Sequence, residues 1–237
     1  NEKTRRFIFN NGIESRASDA PLTFGLTPVF LNNDVELLSR LRNYLARATR
    51  REVLLVQRRT YEEITTLLLS GQLTAAWICG YPLVQYQDQL TPLAVPLWNG
   101  HPLYSSYIIA PSKRQVAKVE DLRGDLHAFS DPNSNSGYLV TAALLAERGL
   151  RPEQFFRQTI FTYGHRNVVR AVASGLAQSG SVDGYVWEVM ASIEPDLTSK
   201  TLVVRKSELL GFPPVACLTR ATAAAIPAWR TRRCGCR

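Results

Sequence analysis

The order of apolar runs along this chain predicts an α/β protein folded as a two-lobed clamshell, each lobe a mostly parallel sheet flanked by helices. Three observations carry that expectation. From Pro21 onward, short apolar runs alternate with amphipathic stretches in a βαβαβ rhythm, the pattern of a parallel, doubly wound sheet. The same rhythm starts again at Leu126. No low-complexity linker separates the halves, so the lobes are joined by extended strands rather than strung on a tether. With 237 residues the chain can build two lobes of about 100 residues, each able to bury a core.

Leu22 to Leu26 reads as a strand ending in the turn Thr27-Pro28. Asn33-Asp34-Val35-Glu36 sets an N-cap residue three positions before a glutamate. It opens a helix through Ala46, with Val35, Leu38, Leu41 and Leu45 on one face. Val53 to Val56 is a second, buried strand. Thr60-Tyr61-Glu62-Glu63 is a capping box for a helix that runs to Leu69 and stops at Ser70-Gly71. Ala75 to Gly80 is a third strand, and Tyr104 to Ala110 is long enough to cross between lobes. In the second half, Leu126 to Ser130 is a strand, Asp131 to Gly137 a loop, and Tyr138 to Arg148 a helix. Pro152 restarts a short helix, Gln158 to Phe161 is extended, and Asn167 to Ala173 is helical. Val182 to Val186 is a strand, and Leu202 to Arg205 a return strand. The expected lobes are therefore 21–108 with 206–219, and 109–205. Residues 1–20 form an N-terminal extension and 220–237 a basic tail.

Composition narrows the class. The chain is 45% hydrophobic, 20% charged and 9% aromatic, which excludes a disordered, collagen-like or coiled-coil chain. Of the formal charge of +8, five units lie from Arg220 onward, where no acid occurs, leaving +3 on residues 1–219. A mildly basic body fits a small anionic ligand, and no nucleic-acid partner is expected. No apolar run reaches the roughly 18 residues a membrane span needs. The polar start at Asn1 fits a cytosolic chain or a secreted one whose signal peptide has been removed. Cys234-Gly-Cys236 is too closely spaced for an ordinary disulfide framework, and Cys79 reads as a small buried hydrophobe.

Ligands of such sheets collect at the carboxyl ends of the strands. Ser130-Asp131-Pro132-Asn133-Ser134-Asn135-Ser136-Gly137 stands there, between a strand and a helix. Its hydroxyls, side-chain amide and free N–H groups at the positive helix end suit a tetrahedral oxyanion. The competing reading is that Ser134 or Ser136 merely caps the helix. His165, just before a helix, either donates to an oxyanion or is solvated or structural. Asp183, Tyr185 and Glu188 follow the strand at Val182. There an acid could accept from a protonated anion and a tyrosine could donate to it, although Tyr185 and Trp187 also suit a core. No nucleophile elbow, Walker loop, metalloprotease helix or dinucleotide fingerprint occurs. No enzymatic activity, metal or cofactor is expected.

Five ordered segments resemble the phosphate/phosphite/phosphonate family of periplasmic substrate-binding proteins. They are Phe24-Gly25-Leu26-Thr27-Pro28, Arg58 to Glu63, Ala76-Trp77-Ile78-Cys79, Phe129 to Tyr138, and Gly164-His165-Arg166-Asn167 through Val172. The likeness spans about residues 21–219. It implies a type II periplasmic-binding-protein fold and a monomeric periplasmic receptor for phosphate, phosphite or phosphonate. Its partner would be the membrane permease of an ABC importer or a sensor histidine kinase. It also implies anion contacts from Ser134, Asn135, Ser136, His165, Tyr61 and one of Tyr104 or Tyr107, with an acidic contact among Asp183, Tyr185 and Glu188. A related branch senses arsenic oxyanions, for which Cys79 would be the soft ligand. An enzyme on the same scaffold is the third reading, against which stands the lack of a nucleophile with a neighbouring base. The sequence departs from the family in three places: Asn135 replaces the usual threonine, Ser179-Gly180-Ser181 is inserted before Asp183, and residues 220–237 read as a tail where the family has closing helices.

Overall fold

The computed structural model describes residues 20–29 and 35–221. The proposed Asn33 cap, nearly all of the N-terminal extension, Cys234, Cys236 and the tail beyond Ala221 lie outside them. The first half runs β1 (Leu22–Leu26), α1 (Val35–Thr49), β2 (Val53–Gln57), α2 (Tyr61–Leu69), β3 (Ala75–Trp77), α3 (Gly80–Gln85), β4 (Leu90–Ala94), β5 (Leu103–Tyr104) and β6 (Ser106–Pro111). Next come β7 (Leu126–Phe129), a π-helical turn (Asn135–Leu139) continuing into α4 (Val140–Ala146), α5 (Pro152–Phe155) and β8 (Gln158–Phe161). The remainder is α6 (His165–Ala173), β9 (Ser179–Asp183), α7 (Gly184–Ile193), α8 (Pro195–Thr198), β10 (Thr201–Lys206), β11 (Leu210–Gly211) and β12 (Val215–Leu218).

Two five-stranded sheets form the lobes, in the orders β2-β1-β3-β12-β4 and β10-β6-β9-β7-β8. Each is mixed rather than mostly parallel. In the first, β1 pairs parallel with β2 and β3, whereas β12 runs antiparallel to β3 and β4. In the second, β7 is parallel to β8 and β9, whereas β6 is antiparallel to β9 and β10. The antiparallel ladders arise where the chain crosses between lobes, because a strand arriving from the other lobe enters against the local direction. The crossing strand is interrupted at Ser105. Its first part, β5, pairs with β11 in a separate two-stranded ribbon, and its second part, β6, belongs to the second sheet.

Local patterns account for most elements. Thr60 and Glu63 make the reciprocal capping box, and α2 buries Tyr61, Ile64 and Leu68. Helix α1 extends to Thr49 and buries only Leu45, while Val35 is 75% exposed, so its first turn is solvated rather than packed. β2 is a sheet edge, with Val53 buried and Leu54 exposed; with a neighbour on one side only, it is not the buried strand its apolar run predicts. The apolar run Val182 to Val186 is split, since β9 ends at Asp183 and α7 begins at Gly184. The Asp183 carboxylate accepts from Tyr185 N–H at 3.0 Å, and a side chain at position 184 would meet Ser105 O at 2.6 Å. A short apolar run does not distinguish strand from buried helix, and here the cap decides. Glycine at 180 lets α6 close onto β9, since a Cβ there would lie 2.6 Å from Val168 Cγ1.

Candidate functional site

The strand-to-helix loop after β7 starts a helix earlier than its apolar pattern predicts, at Asn135. Ser134 is the N-cap, its hydroxyl accepting from Gly137 N–H at 3.0 Å. Ser136 does not cap. It donates instead to Asp183 Oδ2 at 3.2 Å, and its carbonyl accepts from Ser106 Oγ at 2.6 Å. Glycine is required at 137, because a Cβ would fall 1.8 Å from Ser130 Oγ. That hydroxyl is buried without a hydrogen-bond partner. The helix start thus presents N–H groups and hydroxyls toward the first lobe with the positive end of the helix behind them.

Residues of the first lobe meet it directly. His165, the first residue of α6, is buried, and burial lowers its ring to about 3, so it is neutral. Asp183 N–H donates to its Nδ1 at 3.1 Å. This leaves Nε2 as the protonated nitrogen, which donates to Tyr61 Oη at 3.1 Å. The phenolic proton of Tyr61 is then available to a third atom, and Ser134 is within its reach. Asp131 Oδ2 accepts from Tyr61 N–H at 3.1 Å, capping α2 from the opposite lobe. Asn135 N–H donates to Cys79 Sγ at 3.2 Å, and its side-chain amide donates to Tyr104 Oη at 3.4 Å. Burial pushes Cys79 up to about 11, so it is a thiol able to accept that bond. Desolvation likewise raises Tyr61 and Tyr104 well above the usual phenol value.

Among the described residues, no lysine or arginine hydrogen-bonds to Tyr61, Cys79, Tyr104, Ser134, Asn135, Ser136, His165 or Asp183. The cluster is one of neutral donors around two buried acids, Asp131 at the start of α2 and Asp183, which burial pushes up to about 7.

The other predicted residues form a second group. Tyr107 donates to Glu188 Oε1, and Trp98 Nε1 donates to Glu188 Oε2 at 3.1 Å. Lys206 Nζ lies 4.7 Å from the centre of the Tyr107 ring. Tyr185 packs edge-on against Trp98 and tilted against Phe212. Trp98, Tyr107, Tyr185, Glu188 and Lys206, with Tyr104 and His101, line a cavity of about 410 Å³. Both oxygens of Glu188 are therefore engaged, and Tyr185 is held among rings, whereas Asp183 stands at the helix start.

Sequence reasoning singled out neither Asp131 nor Trp98. Asp131 lay inside the quoted loop but had no local mark of its cross-lobe bond. Trp98 was signalled by Asn99-Gly100: both residues have positive φ, and Trp98 and His101 bridge across them, the geometry of a tight hairpin tip.

A family model described as the periplasmic substrate-binding protein of a phosphonate ABC transporter matches residues 24–228. Among solved structures, a binding-protein component of an ABC phosphonate transporter from Pseudomonas aeruginosa is 20% identical, with a TM-score of 0.74 over 83% of this chain and 68% of that one. PhnD1 from Prochlorococcus marinus, in complex with methylphosphonate, is 16% identical, with a TM-score of 0.76 over 89% and 81%. A histidine kinase sensor domain similar to periplasmic binding proteins is 16% identical, with a TM-score of 0.59 over 84% and 82%. At these identities the likenesses establish the fold, that of the type II periplasmic binding proteins. Taken with the family match over most of its length, the chain belongs to the periplasmic substrate-binding proteins of phosphonate ABC transporters.

Proposed function

We propose that this protein is a periplasmic receptor for a small tetrahedral oxyanion, phosphate, phosphite or a phosphonate, which it delivers to the permease of an ABC importer. The observation that carries this reading is the convergence of Tyr61 and Tyr104 on Ser134, Asn135 and Ser136 at the positive end of a helix. An oxyanion seated there would take hydrogen bonds from both lobes and so favour their closure about the crossings at Ser105 and at residues 207–209. His165 acts through Tyr61: held in one tautomer by Asp183 N–H, it orients the phenol. Titration calorimetry with methylphosphonate, phosphite, phosphate and arsenate tests the reading. Micromolar or tighter binding of at least one is expected, and no heat with any of them would overturn it.

A second reading, an arsenic-oxyanion sensor that signals to a histidine kinase, is favoured by one observation: Cys79 Sγ accepts a hydrogen bond from the helix start itself. A thiol suits trivalent arsenic better than it suits phosphate. Arsenite binding that is lost in Cys79→Ser supports it, and a wild type indifferent to arsenite removes it.

A further inference from the structure

One tryptophan of the first lobe grips the second lobe away from the helix start. Trp98 follows β4 and opens the hairpin that ends at His101, the two residues exchanging backbone bonds of 2.8 and 3.0 Å. The hairpin leads through Pro102, whose carbonyl accepts from Phe212 N–H at 2.8 Å, into the β5–β11 ribbon. That ribbon is fixed to the first lobe. Trp77 of β3 donates through Nε1 to Pro213 O at 2.8 Å, and its ring lies 6.5 Å from that of Phe212, centre to centre. Into this frame α7 of the second lobe sets its first turn. The Tyr185 ring sits between Trp98, at 5.2 Å, and Phe212, at 5.0 Å. Three residues on, Glu188 accepts from Trp98 Nε1 at 3.1 Å with one oxygen and from the Tyr107 hydroxyl with the other.

We propose that Trp98 is a closure latch: with Phe212 it forms an aromatic socket for Tyr185, and its indole N–H ties Glu188, so the lobes hold one another shut by contacts the ligand does not make. The effect on affinity rests on the oxyanion reading above; the closure itself does not. Each contact joins side chains of opposite lobes, so all are lost when α7 moves away with the second sheet. They also belong to the helix whose cap faces the candidate site, since Tyr185 N–H donates to the Asp183 carboxylate. Closing on an anion and seating Tyr185 are therefore one movement. An interaction made only in the closed state raises the population of that state with or without ligand, and a ligand that needs the closed state gains apparent affinity in proportion. One hydrogen bond to a carboxylate and one edge-on ring pair suffice to shift the balance about tenfold. Trp98 is thus a positioning residue, acting on the anion through α7 rather than by touching it.

Small-angle X-ray scattering of the ligand-free protein, with calorimetry and stopped-flow fluorescence for methylphosphonate, tests the latch in wild type, Trp98→Ala and Trp98→Phe. Ligand-free Trp98→Ala should show a larger radius of gyration than wild type, and saturation with methylphosphonate should remove the difference. Its methylphosphonate affinity should fall about tenfold, chiefly through faster dissociation. Trp98→Phe keeps a ring for Tyr185 but loses the N–H, so it should lie between the two. Added to Glu188→Ala, it should weaken binding less than it does in wild type. A Trp98→Ala protein with unchanged scattering and affinity and only a lower unfolding midpoint would overturn the latch, leaving a merely structural ring. Reduced affinity with unchanged ligand-free scattering would overturn it too, by placing Trp98 against the ligand. A wild type that binds no oxyanion fails the oxyanion reading, and the ligand-free scattering then decides the latch by itself. Should Trp98→Ala fail to fold, Trp98→Phe decides through the same measurements.

Discussion

His127 and His165 lie in the same lobe, both are buried, and burial lowers both to about 3. Their partners separate them. His127 is held at both ring nitrogens by Ser179 and Ser181 hydroxyls, each at 2.8 Å, and stacks on Phe156. Ser181 continues to Thr141 on α4 at 2.7 Å. Every bond stays within the second lobe. His165 takes one bond from its own lobe and gives the other to Tyr61 of the first. Two neutral imidazoles with equal burial thus serve different ends: one knits strand to helix, and the other aims a phenol across the cleft. Ser179 and Ser181 supply the hydroxyls that allow a histidine in the core.

The comparison breaks most visibly when each ring is removed. His127→Ala leaves a cavity and strands two buried hydroxyls, so denaturant unfolding should show a loss of about 3–5 kcal/mol. Oxyanion affinity of the folded protein should stay unchanged. A reduced affinity at full stability would place His127 in the site after all.

Acid should reveal the two rings together. An unfolded histidine takes its proton near 6.5 and the folded rings only near 3. Their contribution is therefore complete above pH 6.5 and is lost as pH falls below it. Asp183 works oppositely: folded it keeps its proton up to about 7, unfolded it releases it near 3.8, so its contribution is lost as pH rises. Between about pH 6.5 and 4.5, the protons gained by the two unfolded histidines outweigh the one held by Asp183, a net loss of roughly 2 kcal/mol. In His127→Gln the remaining histidine and Asp183 nearly cancel, so stability over the same range should be almost flat. An equally steep curve would show that His127 titrates like an exposed ring.

Binding measurements sharpen the other side. Ser136→Ala and His165→Ala should each weaken oxyanion binding by about 1.5–3 kcal/mol, the scale of a hydrogen bond to a charged group. Ser134→Ala, which removes the true cap, should also cost about 1 kcal/mol of stability. If Ser136→Ala shifted only the unfolding midpoint, its hydroxyl would serve Asp183 and not the ligand. The smallest effect is expected at Thr60. Thr60→Ala opens the capping box before Tyr61, at about 1 kcal/mol of stability by denaturant, with a modest loss of affinity through His165's partner and none through His127.

Much of the scaffold was legible in local signals. The Thr60–Glu63 box starts α2 where its residue types require, Pro152 opens α5, and β1, β7 and β8 lie within a residue of their apolar runs. The helix start at Asn135 was legible in kind but not in position, because its first turn is built from Asn, Ser and Gly rather than an apolar stripe. Val182 to Val186 misled for the opposite reason, an apolar run divided between a strand and a helix by one acidic cap.

By itself the sequence determined what depends on neighbours three or four positions away: caps, the amphipathic periods of the helices, and a donor-rich turn after a strand. Tertiary structure alone decided which side chains face one another. Tyr61 reaches Asp131 and His165 across 70 and 104 residues of chain, and Glu188 meets Trp98 across 90. Cys79 receives the amide of Asn135 only because β3 and the second lobe's helix start end at the same cleft. No local pattern encodes such meetings, because they depend on how whole sheets and helices pack, and residue types that suit a core suit a binding site equally well until that packing is known.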